Sequence, residues 1–347
     1  MTTLDPKRGY IVHYRALKQA VKHGVVVTKL HKCIRFMQSR WLAPYIQLNT
    51  DLRKKAITTF GQNLPKTMIN SNYGKTLENV RKHQNIKLVC NPEKLSKLAA
   101  KPSYSHSTIF NEDLVAVHMY KERINFYKPI FIGQAILDIS KTIMYKFHYE
   151  VMLPLYGPER LMLCYMDTDS FIYLILTNSF HDDLKNYLLE YFDTSNYPTD
   201  HPCYTDKRKK QPGTFTDECK GMHMREIIAL LPKVYAYLTT LQNYSDQVFT
   251  RDVDEVKRLK GVGQGVVKHE IKMVDYLNCL RDRLKQIRKK MSLIRSKHHR
   301  VSTVEIDKLA LSNNYDKRAM VGDEREYKDV YTKAWGHYSL QNSNVNE

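Results

Sequence analysis

From Gln134 onward, apolar residues recur every three or four positions, at Ile136, Ile139, Ile143, Phe147 and Val151, and this spacing lines them along one face of a long helix. After Pro154 and Pro158 the pattern changes to two short apolar runs, residues 161–166 and 171–176, on either side of Asp167-Thr168-Asp169-Ser170. Such runs around a polar centre predict a β-hairpin with acids at its tip, and the long helix is expected to pack on it. Upstream, residues 25–36 are rich in β-branched and alternating positions and predict a strand, while residues 49–62 carry helical spacing behind an Asn/Asp start. Residues 87–110 turn polar around Pro102-Ser103-Tyr104-Ser105 and read as a connecting insertion outside the core. Farther on, Leu277, Leu280, Leu284, Ile287 and Met291 predict a second amphipathic helix whose remaining positions hold Arg281, Arg283, Lys285, Arg288, Lys289 and Lys290. Its apolar stripe is a core face; its basic face either binds DNA or is solvated. No repeat of 20–50 residues appears, and the Asn/Ser-rich stretch beyond Leu340 is expected to be disordered.

Charge alters this picture more than size does. The chain has 347 residues and 40.8 kDa, enough for two or three small cores, and its 55 Lys+Arg against 36 Asp+Glu give a net charge of +19. A surplus of that size points to polyanionic partners. It is uneven: the first 87 residues hold seventeen Lys/Arg and only Asp5, Asp51 and Glu78 as acids, which suits nucleic acid or triphosphate as well as a solvated basic surface. Six cysteines at irregular spacing exclude a disulfide framework and a CxxC zinc site, so an intracellular, reduced compartment is expected. His201-Pro202-Cys203 lacks companion ligands and reads as a surface turn. No apolar run reaches the length of a membrane span, and a soluble protein without a membrane partner is expected. Lys207-Arg208-Lys209-Lys210 reads either as a nuclear address or as a solvated loop.

Two constellations carry chemistry. In an extended strand alternate side chains share a face, so Asp167 and Asp169 are expected to project together with Thr168 turned away. Two carboxylates this close repel unless a cation lies between them, and oxygen ligands favour Mg²⁺ or Mn²⁺; an isolated Asp-x-Asp is equally the mark of a polar β-turn. The second constellation is Lys66-Thr67-Met68-Ile69-Asn70-Ser71-Asn72-Tyr73-Gly74. On a helix Lys66, Asn70 and Tyr73 fall on one face, offering a cation for a triphosphate, an amide and a ring for a base. The same residues also describe an ordinary helix end closed by Gly74. Pro65 either starts that helix or sits inside it at a cost of about 3 kcal/mol. Gly261-Val262-Gly263-Gln264-Gly265 has Val266 where a dinucleotide loop needs its third glycine, and is a turn.

Taken in order, Lys-x-x-x-Asn-Ser-x-Tyr-Gly at 66–74 and Tyr-x-Asp-Thr-Asp-Ser at 165–170 resemble the second and third polymerase motifs of family B DNA polymerases. YIVHYR at 10–15, NEDLVAVH at 111–118 and the stretches 136–149 and 260–280 are similar to the protein-primed branch carried by viruses, linear plasmids and Maverick or Polinton transposons. The likeness runs nearly end to end. It implies an α+β right-hand polymerase fold, with an antiparallel palm sheet and helical fingers and thumb, truncated at its amino terminus. The implied divisions are a palm-associated lead-in at 1–44, fingers at 45–86, the insertion at 87–110, palm at 111–240, thumb at 241–340 and the tail at 341–347.

The same resemblance implies template-directed nucleotidyl transfer from dNTP by a two-metal mechanism. Asp167 and Asp169 would be catalytic and hold Mg²⁺ or Mn²⁺, two ions being expected in a complete site. Lys66, Asn70, Tyr73 and Lys55 (or its neighbour Lys54) would take the nucleotide. Lys233-Val234-Tyr235 matches the Lys-x-Tyr pair that holds the primer end, and Arg281, Lys285 and Arg288 would grip DNA. Partners would be primer-template DNA, dNTP and a terminal priming protein. The chain departs from the pattern in one respect: an aspartate followed by Ser-Leu-Tyr-Pro should precede residue 66, yet only Asp5 and Asp51 do so and neither has that context. The exonuclease acids are missing as well. An incomplete polymerase is therefore expected, the alternative being an inactive remnant that only binds primer-template DNA and nucleotide. An Asp-x-Asp glycosyltransferase is disfavoured because no sugar-nucleotide domain precedes the acids.

Overall fold

The computed structural model describes residues 5–242, 249–282, 285–313, 318–321 and 331–334. The expected tail at 341–347 and most of residues 314–340 lie outside them, as do Arg283 and Leu284. The chain is a mixture of helices and small sheets, and all strand pairs are antiparallel except a two-residue contact between β6 (Phe192–Asp193) and β7 (Phe215–Thr216). The coarse α+β expectation therefore stands.

The helical part begins with α1 (Tyr14–Lys22), α2 (Ala43–Lys55) and α3 (Thr59–Thr76). Thr58 caps α3 by accepting the Gly61 N–H at 3.1 Å. Pro65 sits inside α3 and is buried, so the Gly61 carbonyl four residues earlier loses its helical donor. The helix expected over 49–62 is thus two helices, broken at residues 56–58. No strand forms at residues 25–36; that stretch is irregular and exposed, with Val26 at 81% and Leu30 at 71% accessibility. Its alternating pattern finds no partner strand among the described residues, and an unpaired strand leaves its backbone groups to water.

Next comes a small α/β unit. The strands β1 (Asn85–Val89), β2 (Tyr104–Asn111) and β3 (Leu114–Met119) form one sheet in the order β1-β3-β2, covered by α4 (Pro92–Ala99). Asn91 caps α4 by accepting the N–H groups of Glu93 and Lys94, and Pro92 occupies the first helical turn, where its missing donor is harmless. Val89, Leu98, Val115, Val117 and Met119 make its core. The supposed connecting insertion is therefore a folded unit, and the boundary at 110/111 falls within the β2–β3 hairpin, where Asn111 faces Leu114.

Helix α5 (Ile130–Lys146) runs without interruption into a π-helical turn, Phe147–Met152, and then into α6 (Leu153–Tyr156). Upstream of the π turn the rod carries α1 and α3. The His13 N–H donates to Asp138 at 2.8 Å and Gln19 donates to the Thr142 carbonyl at 3.0 Å, while Lys22 reaches into the π turn itself and pairs with Glu150 at 2.7 Å. Gly133 meets the end of α3 so closely that a Cβ there would lie 2.4 Å from Leu77 Cγ. Downstream, Phe147, Met152 and Tyr156 turn into a different core with Leu161, with Leu184 and Leu188 that follow the short helix α7 (Phe180–Asp183), and with Tyr197 and Cys203. Of the five expected stripe residues only Phe147 is fully buried, while Ile136 and Ile143 are exposed.

That second core supports the hairpin of β4 (Leu161–Asp167) and β5 (Ser170–Ile175), formed as expected from the two apolar runs. The remaining sheet has the order β10-β9-β8, from β8 (His223–Leu231), β9 (Val234–Gln242) and β10 (Phe249–Leu259). It crosses the expected palm-thumb boundary at 240, since β9 and β10 are paired. α8 (Gln264–Glu270), α9 (Met273–Arg281) and the ribbon of β11 (Ile287–Lys297) with β12 (Arg300–Leu311) complete its core around Ile271, Tyr276, Cys279 and Leu311, all 0% accessible. The expected basic helix over 277–291 is thus corrected: α9 stops at Arg281 and β11 begins at Ile287. Ile287, Met291 and Leu293 also satisfy a period of two, and pairing with β12 over eleven residues decides in favour of the strand.

Candidate active site

The tip of the β4–β5 hairpin is a two-residue turn, with Asp167 opposite Ser170 and Thr168 in the left-handed region at φ +54°. The Thr168 hydroxyl donates to an Asp167 carboxylate oxygen at 3.2 Å and the Ser170 hydroxyl to the Asp167 carbonyl at 3.2 Å. Local side-chain bonds of this kind hold short polar residues in a turn. The expected strand alternation therefore does not apply to both acids: Asp167 closes β4, whereas Asp169 lies in the turn, exposed.

A segment 68 residues downstream meets this tip. β8 and β9 are joined by Pro232-Lys233, with Lys233 at φ +65°. The Lys233 N–H donates to the Tyr165 hydroxyl at 2.8 Å, and its Nζ lies 3.4 Å from an Asp167 carboxylate oxygen. Tyr235 packs on Tyr165 with ring centroids 4.9 Å apart. Burial raises the hydroxyl pKa of both tyrosines, so they stay protonated donors at neutral pH. Asp167, Lys233 and Tyr235, which lie far apart in the sequence, are thus neighbours in space.

The other expected residues are placed differently. Lys66 and Asn70 are exposed on α3, Tyr73 is half-buried, and Lys55, like Lys54, is exposed at the end of α2. α3 packs on α2 and α5, and among the described residues no hydrogen bond or ion pair links Lys66, Asn70 or Tyr73 to the hairpin. Both groups stand on the same rod: α3 reaches it at Gly133, and the hairpin reaches it where Phe147 meets Phe171 and His148 bonds the Tyr173 hydroxyl at 3.0 Å. Fourteen residues of helical rise separate those points by about 21 Å. Arg281, Lys285 and Arg288 do not share a helix face; they end α9, lie in the link and enter β11, where Arg288 pairs with Asp307 at 3.1 Å.

Sequence reasoning missed Arg258. It lies opposite Tyr235 in the β9–β10 register, where its charge acts on the Tyr235 hydroxyl, and no spacing in the sequence links the two positions. For a metal, Asp167 and Asp169 offer hard oxygen donors, and Mg²⁺ ordinarily takes only one or two carboxylates, completing its shell with water and phosphate. Among the described residues no group of three or more His, Cys, Asp or Glu is arranged to hold a metal. Comparison of the chain with protein-family models, with curated proteins and with solved structures gave no match.

Proposed function

We propose that this chain is the fingers-palm-thumb portion of a protein-primed family B DNA polymerase, acting on primer-template DNA and dNTP. The reading rests on one observation above all: the Tyr-x-Asp-Thr-Asp-Ser hairpin and the Lys-x-Tyr pair, chosen by motif alone, meet through a 2.8 Å hydrogen bond, a 3.4 Å ion pair and a ring contact. The reaction joins the primer 3′-hydroxyl oxygen to the α-phosphorus of the nucleotide as the bond to the β-phosphate breaks, releasing pyrophosphate and a proton. Asp167 and Asp169 would hold a divalent ion, whose charge offsets that of the phosphates when bound. Lys233 and Tyr235 would position the primer end, and Lys66 with Tyr73 would receive the nucleotide once α3 lies over the hairpin. The exposed cations Arg288, Lys290, Arg295, Lys297 and Arg300 line the β11–β12 ribbon, which suits contact with a phosphate backbone.

The test is extension of a labelled primer with Mg²⁺ by the purified chain, alone and with Asp169→Asn. Extension that disappears in the variant supports catalysis. A second reading, a protein that grips primer-template DNA without chemistry, is favoured by the engagement of Asp167 with Lys233 and by the lack of a third acid beside it among the described residues. It predicts salt-sensitive DNA binding with no extension, and absence of both would overturn the two readings together.

A further inference from the structure

Four imidazoles from distant parts of the chain meet at the tip of the β11–β12 ribbon. His298 and His299 form its two-residue turn, between the paired Lys297 and Arg300. His299 Nε2 lies 2.7 Å from Nε2 of His118, 181 residues away on β3. His118 in turn stacks on His106 of β2 at 4.1 Å and 12°, and His298 stands edge-on to His106 at 5.2 Å. Phe110 flanks His299 at 5.6 Å. Ile86, opposite His118 on β1, adds no charge. No carboxylate among the described residues compensates His118; the charges acting on it are His106, His298 and His299, and Lys297 and Arg300 flank the turn.

Two features make this a built contact. Both turn histidines have left-handed backbone, φ +49° and +61°, where Asn-Gly would fold the same hairpin with less resistance. What imidazoles bring there is reach to the sheet. Moreover, two Nε2 atoms at 2.7 Å require one donor and one acceptor, so the contact survives only while at least one of the pair is neutral at that atom. We propose that this junction is a proton-controlled clasp that fastens the tip of the β11–β12 ribbon to the three-stranded sheet at neutral pH and releases it in mild acid. Protonation of both partners leaves two donors facing each other among two more imidazoles, with no acid to absorb the charge. Burial, followed by the other three histidines, pushes the His118 pKa below its ordinary value, which is the direction a neutral closed junction requires.

The test is hydrogen exchange of the full chain between pH 8 and pH 5, read in peptides covering residues 104–119 and 293–304 and corrected for the intrinsic pH dependence of exchange. Protection of both peptides should fall together, by about tenfold per pH unit for each proton taken up on opening, below the imidazole pKa of about 6.5. His118→Gln keeps an acceptor for His299 without titrating, so its junction should stay protected at pH 5. The double variant H298N/H299G keeps the turn and removes its imidazoles; it should be unprotected at the sheet across the whole range while the ribbon's own strand pairing persists. Wild-type protection that does not change with pH, or an acid loss that His118→Gln shares, overturns the clasp. None of these outcomes depends on polymerase activity.

Discussion

The bond from the Lys233 N–H to the Tyr165 hydroxyl ties the turn between β8 and β9 to the acidic hairpin, and Tyr165→Phe removes it while leaving the ring contact with Tyr235 in place. The turn keeps two other anchors at this residue, the Lys260 N–H donating to the Lys233 carbonyl at 3.1 Å and the exposed ion pair of Lys233 Nζ with Asp167 at 3.4 Å. The lost bond is neutral and half-buried, so its net worth is about 1 kcal/mol, rising to about 2 kcal/mol if the freed N–H stays shielded from water. Through the Boltzmann factor, 1 kcal/mol makes the docked position of Lys233 about fivefold less populated. On the proposed reading that loss falls on the primer side: the KM for primer-template should rise about fivefold, while the KM for dNTP stays within twofold. If the chain binds without chemistry, the same factor should appear in the Kd for primer-template DNA, measured by fluorescence anisotropy. Unchanged primer affinity in a variant that is folded by circular dichroism would refute the role given to Tyr165.

Other consequences are as direct. Arg288→Ala should reduce the log-log salt slope of duplex binding by about 0.9 if Arg288 contacts a phosphate, with a stability change below about 1 kcal/mol because its pair with Asp307 is exposed. Tyr276 is fully buried and donates to the Arg258 carbonyl at 3.1 Å, so Tyr276→Phe should cost about 1 kcal/mol and Tyr276→Ala about 3–5 kcal/mol in urea denaturation. His181 packs edge-on against His201 and His223, and burial, ahead of those two neighbours, lowers its pKa to about 4. The folded state then binds fewer protons than the unfolded one, so stability is whole above pH of about 6.5 and falls as pH drops toward about 4, by about 3 kcal/mol for this group. His181→Phe should flatten that part of the curve, and a curve of unchanged shape would count against burial as the cause.

Structure is legible in this sequence where neighbouring residues alone decide it. The β4–β5 hairpin was legible because two apolar runs bracket a short polar centre, and α5 because its period persists over four turns. Residues 87–110 were not legible, since Val89, Leu98, Val115, Val117 and Met119 become a core only after three separated strands align. Residues 287–291 fit periods of 3.6 and 2 alike, and the deciding partner, β12, lies beyond the window. At the candidate site the motifs identified Asp167, Lys233 and Tyr235, which do meet. No motif specified the placement of the Lys66 face, because that depends on how α3 leans on Gly133. Nor does any spacing link His118 to His299, which are joined by tertiary contact alone.

The π-helical turn at Phe147–Met152 sets the phase of everything after it. A π turn accommodates one more residue than the α-helix that would replace it, so rewinding 147–152 as α-helix with all six residues retained would rotate the downstream face by about 100°. Met152 and Tyr156 would then leave the floor beneath the acidic hairpin and point toward solvent. A one-residue deletion there should let the winding return to α-helix with the phase kept, so the two cores are coupled through the width of the turn and the number of residues in it rather than through the chemistry of a single side chain.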